Sequence, residues 1–316
     1  MANDVLGPGY TATTIPLRPD DEGEVIATLV TRKAESPTRT AVLHVHGFVD
    51  YFFQTHLADA WTADGYDFYA IDLRKYGRSL RPHQTPNYCT DLSVYFEELD
   101  EAARIIRDSH DVLVVMGHST GGLITSMWAH ERRGTGLVDA LVLNSPWFDL
   151  NENAVTRLVG SRVVDLIGAR WPKRPIVAGL PPHYGRSLHA DHDGIWTYDL
   201  RWKPVNGFPV YAGFLRAVHK AQLKLAKGLA IDCPVLVCAS TDSGPVRRWS
   251  EKLRTADCVL NAEHMAARAP KLGADVTVVR IPDGIHDLAL SDEPARSIYL
   301  NTVSCWVREK VTSRYE

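Results

Sequence analysis

One stretch constrains this chain more than any other: residues 111–122 read Asp-Val-Leu-Val-Val-Met-Gly-His-Ser-Thr-Gly-Gly. The Val-rich first half predicts a fully buried strand, since a strand covered on both faces shows no polar alternation. Residues 123–129 predict a helix directly behind it. Between them lies the tight turn Gly117-His118-Ser119-Thr120-Gly121. Strand, Gly-x-Ser-x-Gly and helix form the setting in which a Ser hydroxyl is raised above a strand end as a nucleophile. The flanking glycines are needed where a Cβ would collide. The competing reading of Ser119 is an ordinary capping Ser at a helix N-terminus.

Around this turn, strands and helices alternate. Residues 10–17 and 25–33 predict an antiparallel opening joined by an Asp/Gly turn at 20–23. Strands are expected at 40–46, 66–73, 138–144, 234–240 and 276–281, and helices at 54–64, 90–109, 262–272 and 294–310. On the last helix, Ile298, Thr302, Cys305 and Trp306 are expected to face inward. This alternation predicts an α/β fold with a mostly parallel sheet covered by helices on both faces. It breaks between Trp147 and Gly228, where two helical pieces (152–167 and 211–227) flank a Pro-rich, aromatic-rich middle with no strand-like run. Four of the eight tryptophans fall there. An aromatic-dense insertion after a strand end reads as a lid, and the chain divides into core (1–146), inserted helical lid (147–230) and core again (231–316).

Composition removes several function classes. A net charge of −3 gives no electrostatic reason to expect nucleic acid or an anionic membrane. No apolar run is long enough for an integral membrane segment, and the first residues lack the basic and apolar regions of a secretory signal, so a cytoplasmic location is the default. Five scattered cysteines suit reduced, mostly buried thiols better than disulfides or a zinc site. His44-x-His46 invites a metal reading, but Phe48, Val49 and Asp50 follow where further ligands would be needed, and no metal is expected.

A Ser nucleophile needs a base, and the base needs a group that orients it. On such a sheet these follow the Ser in the order acid, then His. His286, in the loop after the last strand, is the expected base. Asp257 is the preferred acid, because one helix and one strand fit between it and His286. Asp242, in a Gly/Pro turn straight after a strand, is the other candidate. Acyl transfer also needs oxyanion donors, for which the backbone N–H groups of Thr120 and Phe48 are expected.

Six motifs then occur in order: His46-Gly47-Phe48, Asp72-Leu73-Arg74 with Gly77-x-Ser79, Gly117 to Gly122, Asn144-Ser145-Pro146-Trp147, Asp257-x-Val259-Leu260 and Gly284-x-His286-Asp287. As a set they resemble the α/β-hydrolase superfamily, in its monoacylglycerol-lipase-like and serine-aminopeptidase-like branch. The resemblance implies an eight-stranded, mostly parallel sheet and a serine hydrolase cleaving carboxylic esters through an acyl-enzyme, with no metal or organic cofactor. Two departures stand out. Lys75-Tyr76 replaces the usual Gly-His, and a longer stretch than usual precedes Asp257.

Apolar and aromatic lid residues favour a small-molecule ester with a hydrophobic acyl or alcohol part, and Trp147, Phe148, Trp171, Trp196, Tyr211 and Phe214 are the expected substrate contacts. An inward lid arginine (among Arg157, Arg162, Arg170, Arg174 and Arg201) would instead suit a carboxylate-bearing half-ester. Peptidase action would want Asp191, Asp193 or Asp199 near the pocket. A carbon–carbon bond hydrolase and a non-catalytic binding homologue are the remaining alternatives. Oligomeric state is not legible.

Overall fold

The computed structural model describes residues 2–149 and 165–312. The chain opens with β1 (Ala2–Asn3), β2 (Tyr10–Pro16), β3 (Ile26–Arg32) and β4 (Thr40–Val45), then α1 (Thr55–Ala63) and β5 (Asp67–Asp72). After α2 (Phe96–Arg107) come β6 (Val112–His118), α3 (Thr120–Glu131) and β7 (Ala140–Asn144). The main sheet runs β1-β2-β3-β5-β4-β6-β7 and is completed by β10 (Val235–Ser240) and β11 (Val276–Ile281). It contains the eight expected strands plus the two-residue β1 at one edge. Pairings from β5 through β4 to β11 are parallel, and those of β1, β2 and β3 are antiparallel.

Strand order fixes where chemistry can happen. From β4 the chain goes outward to β5 and then returns to place β6 on the other side. Loops leaving the carboxyl ends of β4 and β6 therefore part in opposite directions, opening a crevice at that edge. Gly47-Phe48 lies at the end of one strand and Ser119 at the end of the other.

Both faces of the sheet are covered. On one, Leu99 and Ile106 of α2 and Leu123 and Trp128 of α3 share a core with Phe214, Val218 and Leu225 of α5 (Ala212–Lys227). On the other, Leu57 and Trp61 of α1 meet α7 (Ala295–Thr312), which follows α6 (Ala262–Arg268) and β11 in the chain. The inner face of α7 is Tyr299, Val303, Trp306 and Val307; Ile298 and Cys305 are exposed and Thr302 is half-buried. Both sets keep helical spacing, and the rotation of one residue buries the larger apolar area. The other four cysteines are buried, and none is in a disulfide.

Between β7 and β10 the described chain adds α4 (Pro182–Leu188), α5 and a small antiparallel pair, β8 (Pro175–Val177) with β9 (Val210–Tyr211). That pair was not expected; three and two residues are too short to show a strand pattern, and Pro175 is tolerated because the ladder is an edge. The helix expected at 152–167 lies outside the described residues except at its end, where 165–170 is helical. Among the described residues, no helix is long and apolar enough to cross a membrane.

Candidate active site

Ser119 stands at the β6–α3 turn with φ 51° and ψ −115°, left-handed backbone that costs a non-glycine residue on the order of 1–3 kcal/mol. Its surroundings hold it there. The Ser119 N–H donates to the Asn144 carbonyl (3.0 Å) and its own carbonyl accepts from Trp147 N–H (3.0 Å). A Cβ at Gly117 would strike Thr125 Oγ1, and one at Gly121 would strike the Val45 and His46 carbonyl oxygens, so the turn tolerates no side chain at either flank. The hydroxyl does not cap α3. It lies 2.9 Å from His286 Nε2 instead.

His286 follows β11, and its Nδ1 is 2.8 Å from Asp257 Oδ2. The other carboxylate oxygen, Oδ1, accepts the Val259 and Leu260 N–H groups, each at 2.8 Å. All three side chains are buried. Asp242 is placed elsewhere: its exposed carboxylate pairs with Lys252, which lowers its pKa. Its backbone carbonyl, however, accepts the Asp257 N–H (3.0 Å), while Gly244 N–H donates to the Asp257 carbonyl (2.9 Å). The long stretch before Asp257 is thus a loop whose two ends are clamped together, which returns the acid to the strand end despite the extra residues.

After β4, His46 decides how the chain turns. Its Nε2 accepts the Leu73 N–H (3.0 Å), so Nδ1 carries the proton and donates to the Gly47 carbonyl (2.8 Å). Burial lowers the His46 pKa, consistent with this neutral tautomer. In a planar trans peptide the carbonyl and the following N–H point opposite ways. Holding the Gly47 oxygen inward therefore turns the Phe48 N–H outward, and a Cβ on Gly47 would lie 3.1 Å from Ser119 Cβ. Among the described residues, neither the Phe48 nor the Thr120 N–H has a protein acceptor. The next residue, Val49, sits at φ 50°.

Behind the imidazole lies a buried polar cluster that sequence reasoning left without a role. Asp287 accepts from Asn144 Nδ2 (2.8 Å) and Gln54 Nε2 (3.1 Å), and its N–H donates to Tyr184 Oη (3.0 Å). Burial alone would raise the Asp287 pKa; nearby positive charge and the two amides hold it at about 2. Burial pushes His118 down from its usual value. Asp50 pairs with Lys203 (2.6 Å). Ligand atoms of Asp50, His118 and Asp287 lie within 4.8 Å of one another. They do not fit a resident metal ion, because the Lys203 ammonium already neutralises Asp50 and two amides occupy Asp287. Nor do His44 and His46 share a ligand: His44 lies among Phe52 and Phe68, and both His46 nitrogens are engaged.

Ser119 and His286 open into a cavity of about 360 Å³. Leu180, Pro181, Leu188, Val205, Val259 and Leu260 make much of its wall apolar, with Tyr184, Lys203 and Asp50 at its polar side. Of the six expected substrate contacts, only Trp147 lines it. Phe148 is buried in the main core, and Phe214 stacks on Phe48 at 4.5 Å. Tyr211 packs on Tyr88, Trp196 stacks on His56 and donates to the Leu290 carbonyl, and Trp171 is 54% exposed. All but Trp171 fix the insertion to the core, where flat apolar groups bury most area. Among the described residues, Arg170, Arg174 and Arg201 do not line the cavity, nor do Asp191, Asp193 and Asp199; Arg157 and Arg162 lie outside the described residues. Lys203 and Tyr184, which do line it, carry no local sequence signal, since only the folded insertion brings them there.

No curated protein sequence matches the chain. Solved structures do, at low identity. A soluble variant of monoglyceride lipase from Saccharomyces cerevisiae, in complex with a substrate analogue, superposes with a TM-score of 0.70 at 18% identity, covering 95% of this chain and 97% of that one. The monoacylglycerol lipase of Paleococcus ferrophilus gives 0.66 at 18% (89% and 99% covered). A carboxyl esterase from Bacillus coagulans gives 0.67 at 12% (95% and 99% covered). At such identities the likeness speaks for the fold. Residues 36–291 match the serine aminopeptidase (S33) family, a span that holds the elbow, the clamped acid and the histidine loop. The chain belongs to that family of α/β-hydrolases.

Proposed function

We propose that this protein is a serine hydrolase that cleaves a carboxylic ester with a hydrophobic acyl or alcohol part, through Ser119, His286 and Asp257 and an acyl-enzyme. The observation that carries this reading is the continuous Ser119–His286–Asp257 hydrogen-bonded chain, opening into a largely apolar cavity.

The geometry supports the following steps. Ser119 Oγ adds to the ester carbonyl as its proton passes to His286 Nε2. Asp257, already bonded to two backbone N–H groups, stabilises the imidazolium and fixes its tautomer. The carbonyl oxygen becomes an oxyanion, for which the N–H groups of Phe48 and Thr120 are the donors; one such donor is worth about 3 kcal/mol. His286 returns the proton to the departing alcohol, and water repeats the sequence to release the acid. The insertion (147–230) acts as a lid, since its Leu180, Pro181 and Val205 wall the cavity against bulk water. An apolar chain against these residues and Trp147 is favoured by roughly 0.8 kcal/mol per buried methylene.

The test is a fluorophosphonate probe combined with p-nitrophenyl esters from acetate to palmitate. The expected outcome is covalent labelling that disappears in Ser119→Ala, a fall in kcat on the order of 10⁶-fold, and kcat/KM that rises with chain length until the cavity is filled. A folded protein that neither labels nor turns over would mean a binding homologue.

A further inference from the structure

We propose that Lys203 is a positioning residue, which pairs from the insertion with Asp50 and so holds the Phe48 oxyanion donor against the strained turn at Val49. The inference rests on the serine hydrolase reading above.

The loop between β4 and α1 is gripped by the core at two points. At one, His46 holds the Gly47 carbonyl; at the other, Asp72 Oδ1 accepts the Phe52 N–H at 2.9 Å. Among the described residues, the hydrogen bonds and ion pairs of the four residues between come from the insertion. Tyr51 Oη accepts the Asp199 N–H (2.7 Å), and Asp50 Oδ1 meets Lys203 Nζ. Within that span Val49 holds a positive φ that a β-branched residue rarely adopts. Such a turn persists only while its neighbours enforce it.

Asp50 is the natural point of enforcement. It is 2% exposed, and its Oδ2 has no hydrogen-bond partner. The charged and titratable groups facing it are Lys203, His118, His46 and Asp287, and burial keeps both imidazoles below their usual pKa. Of these, the lysine ammonium makes the ion pair with Asp50, at 2.6 Å. Its ammonium is seated over the rings of Phe53 (5.4 Å) and Tyr198 (5.7 Å), so the pair is held from both sides. Without it, a buried carboxylate has no partner and the loop must shift to hydrate it. A shift there relaxes Val49 and carries the Phe48 N–H away from the oxyanion. Because the donor acts on the transition state, the loss falls on kcat and leaves ground-state binding alone.

The experiment compares wild type, Lys203→Met, Lys203→Arg and the double variant Asp50→Asn/Lys203→Met on a neutral p-nitrophenyl ester, with melting curves for each. The expected result for Lys203→Met is a kcat about ten- to hundredfold lower with KM changed less than about threefold. Lys203→Arg keeps most of the activity, and the double variant lies between wild type and Lys203→Met because no charge is left to hydrate. Unchanged kcat in a folded Lys203→Met protein overturns the inference, and so does a raised KM at constant kcat, which would make Lys203 a substrate contact. Should Lys203→Met fail to fold, the double variant decides: wild-type kcat overturns the inference, and lowered kcat at constant KM supports it. An unlabelled, inactive wild type would remove the serine hydrolase reading and this inference with it. A labelled, active wild type with an indifferent Lys203→Met removes this inference alone.

Discussion

The carboxyl edge of the sheet and the segment inserted between β7 and β10 meet at one cavity, but they are built by different rules. At the sheet edge each candidate side chain is placed by its own backbone: Ser119 by a forced turn, Asp257 by a clamped loop, His286 by the loop after β11. In the insertion, placement is tertiary. Rings that look alike in sequence divide into those buried against the core, such as Phe214, those at the cavity, such as Trp147 and Tyr184, and one in solvent (Trp171). Local rules are readable in sequence; tertiary placement is not, because nothing nearby in the chain distinguishes one aromatic residue from another.

The two aspartates after β10 offer the most demanding way to break this comparison. If the sheet edge is set by backbone geometry, Asp257→Asn should lower kcat by about 10⁴-fold, since His286 loses the partner that fixes its tautomer. Asp242→Asn should leave kcat within about twofold, because that residue reaches Asp257 through its backbone carbonyl and its side chain forms an exposed pair with Lys252. Steady-state kinetics on one ester check both. A reversed order would place the acid at Asp242.

Most of the fold was legible for a physical reason. Buried parallel strands show continuous apolar runs, and β6, β5 and β10 are buried at every position, so their signal was strong. The Ser119 turn, and the meeting of His286 with Ser119 and Asp257, were legible because glycine spacing and chain order follow from sterics and topology. The face of α7 was missed by one residue because two faces satisfy the same period. β8 and β9 were too short to carry a pattern. Lys203, Asp50 and Tyr184 were silent, since a lone Lys, Asp or Tyr has no local sequence feature that tells a cavity wall from solvent. The aromatic candidates differ for the opposite reason: their abundance marks where the alternation stops, but it says nothing about which ring faces inward, and of the six only Trp147 lines the cavity.

Phe214 and Trp171 sharpen the contrast within the insertion. Phe214 is 1% exposed and stacks on Phe48, whereas Trp171 is 54% exposed. Phe214→Ala should destabilise the protein by about 3–5 kcal/mol, the cost of a large buried ring. Trp171→Ala should stay within about 0.5 kcal/mol and leave KM unchanged. Urea melts and ester kinetics on both variants provide the check. A tenfold rise in KM for Trp171→Ala would restore it as a substrate contact and blur the division between rings that glue and rings that line.

Asp287 is one place where the two regions touch, and the effect expected there is smaller than that of losing Asp257 or Phe214. Its carboxylate is held by Gln54 and Asn144 from the core, while its N–H reaches Tyr184 of the insertion. Burial opposes its charge, yet His118, the neighbouring Lys203 ammonium and the two amides bring its pKa down from the ordinary 3.8 to about 2. A folded-state value below the unfolded one means stability that is fully present above pH ~4 and is lost as pH falls towards 2. The depression corresponds to about 2 kcal/mol. The difference in unfolding free energy between wild type and Asp287→Asn should therefore be constant from pH 7 to about 4.5 and then change by about that amount by pH 2, as the wild-type carboxylate protonates. A difference that stays flat across the whole range would mean that Asp287 is not held ionised by the junction, and that core and insertion meet there through packing alone.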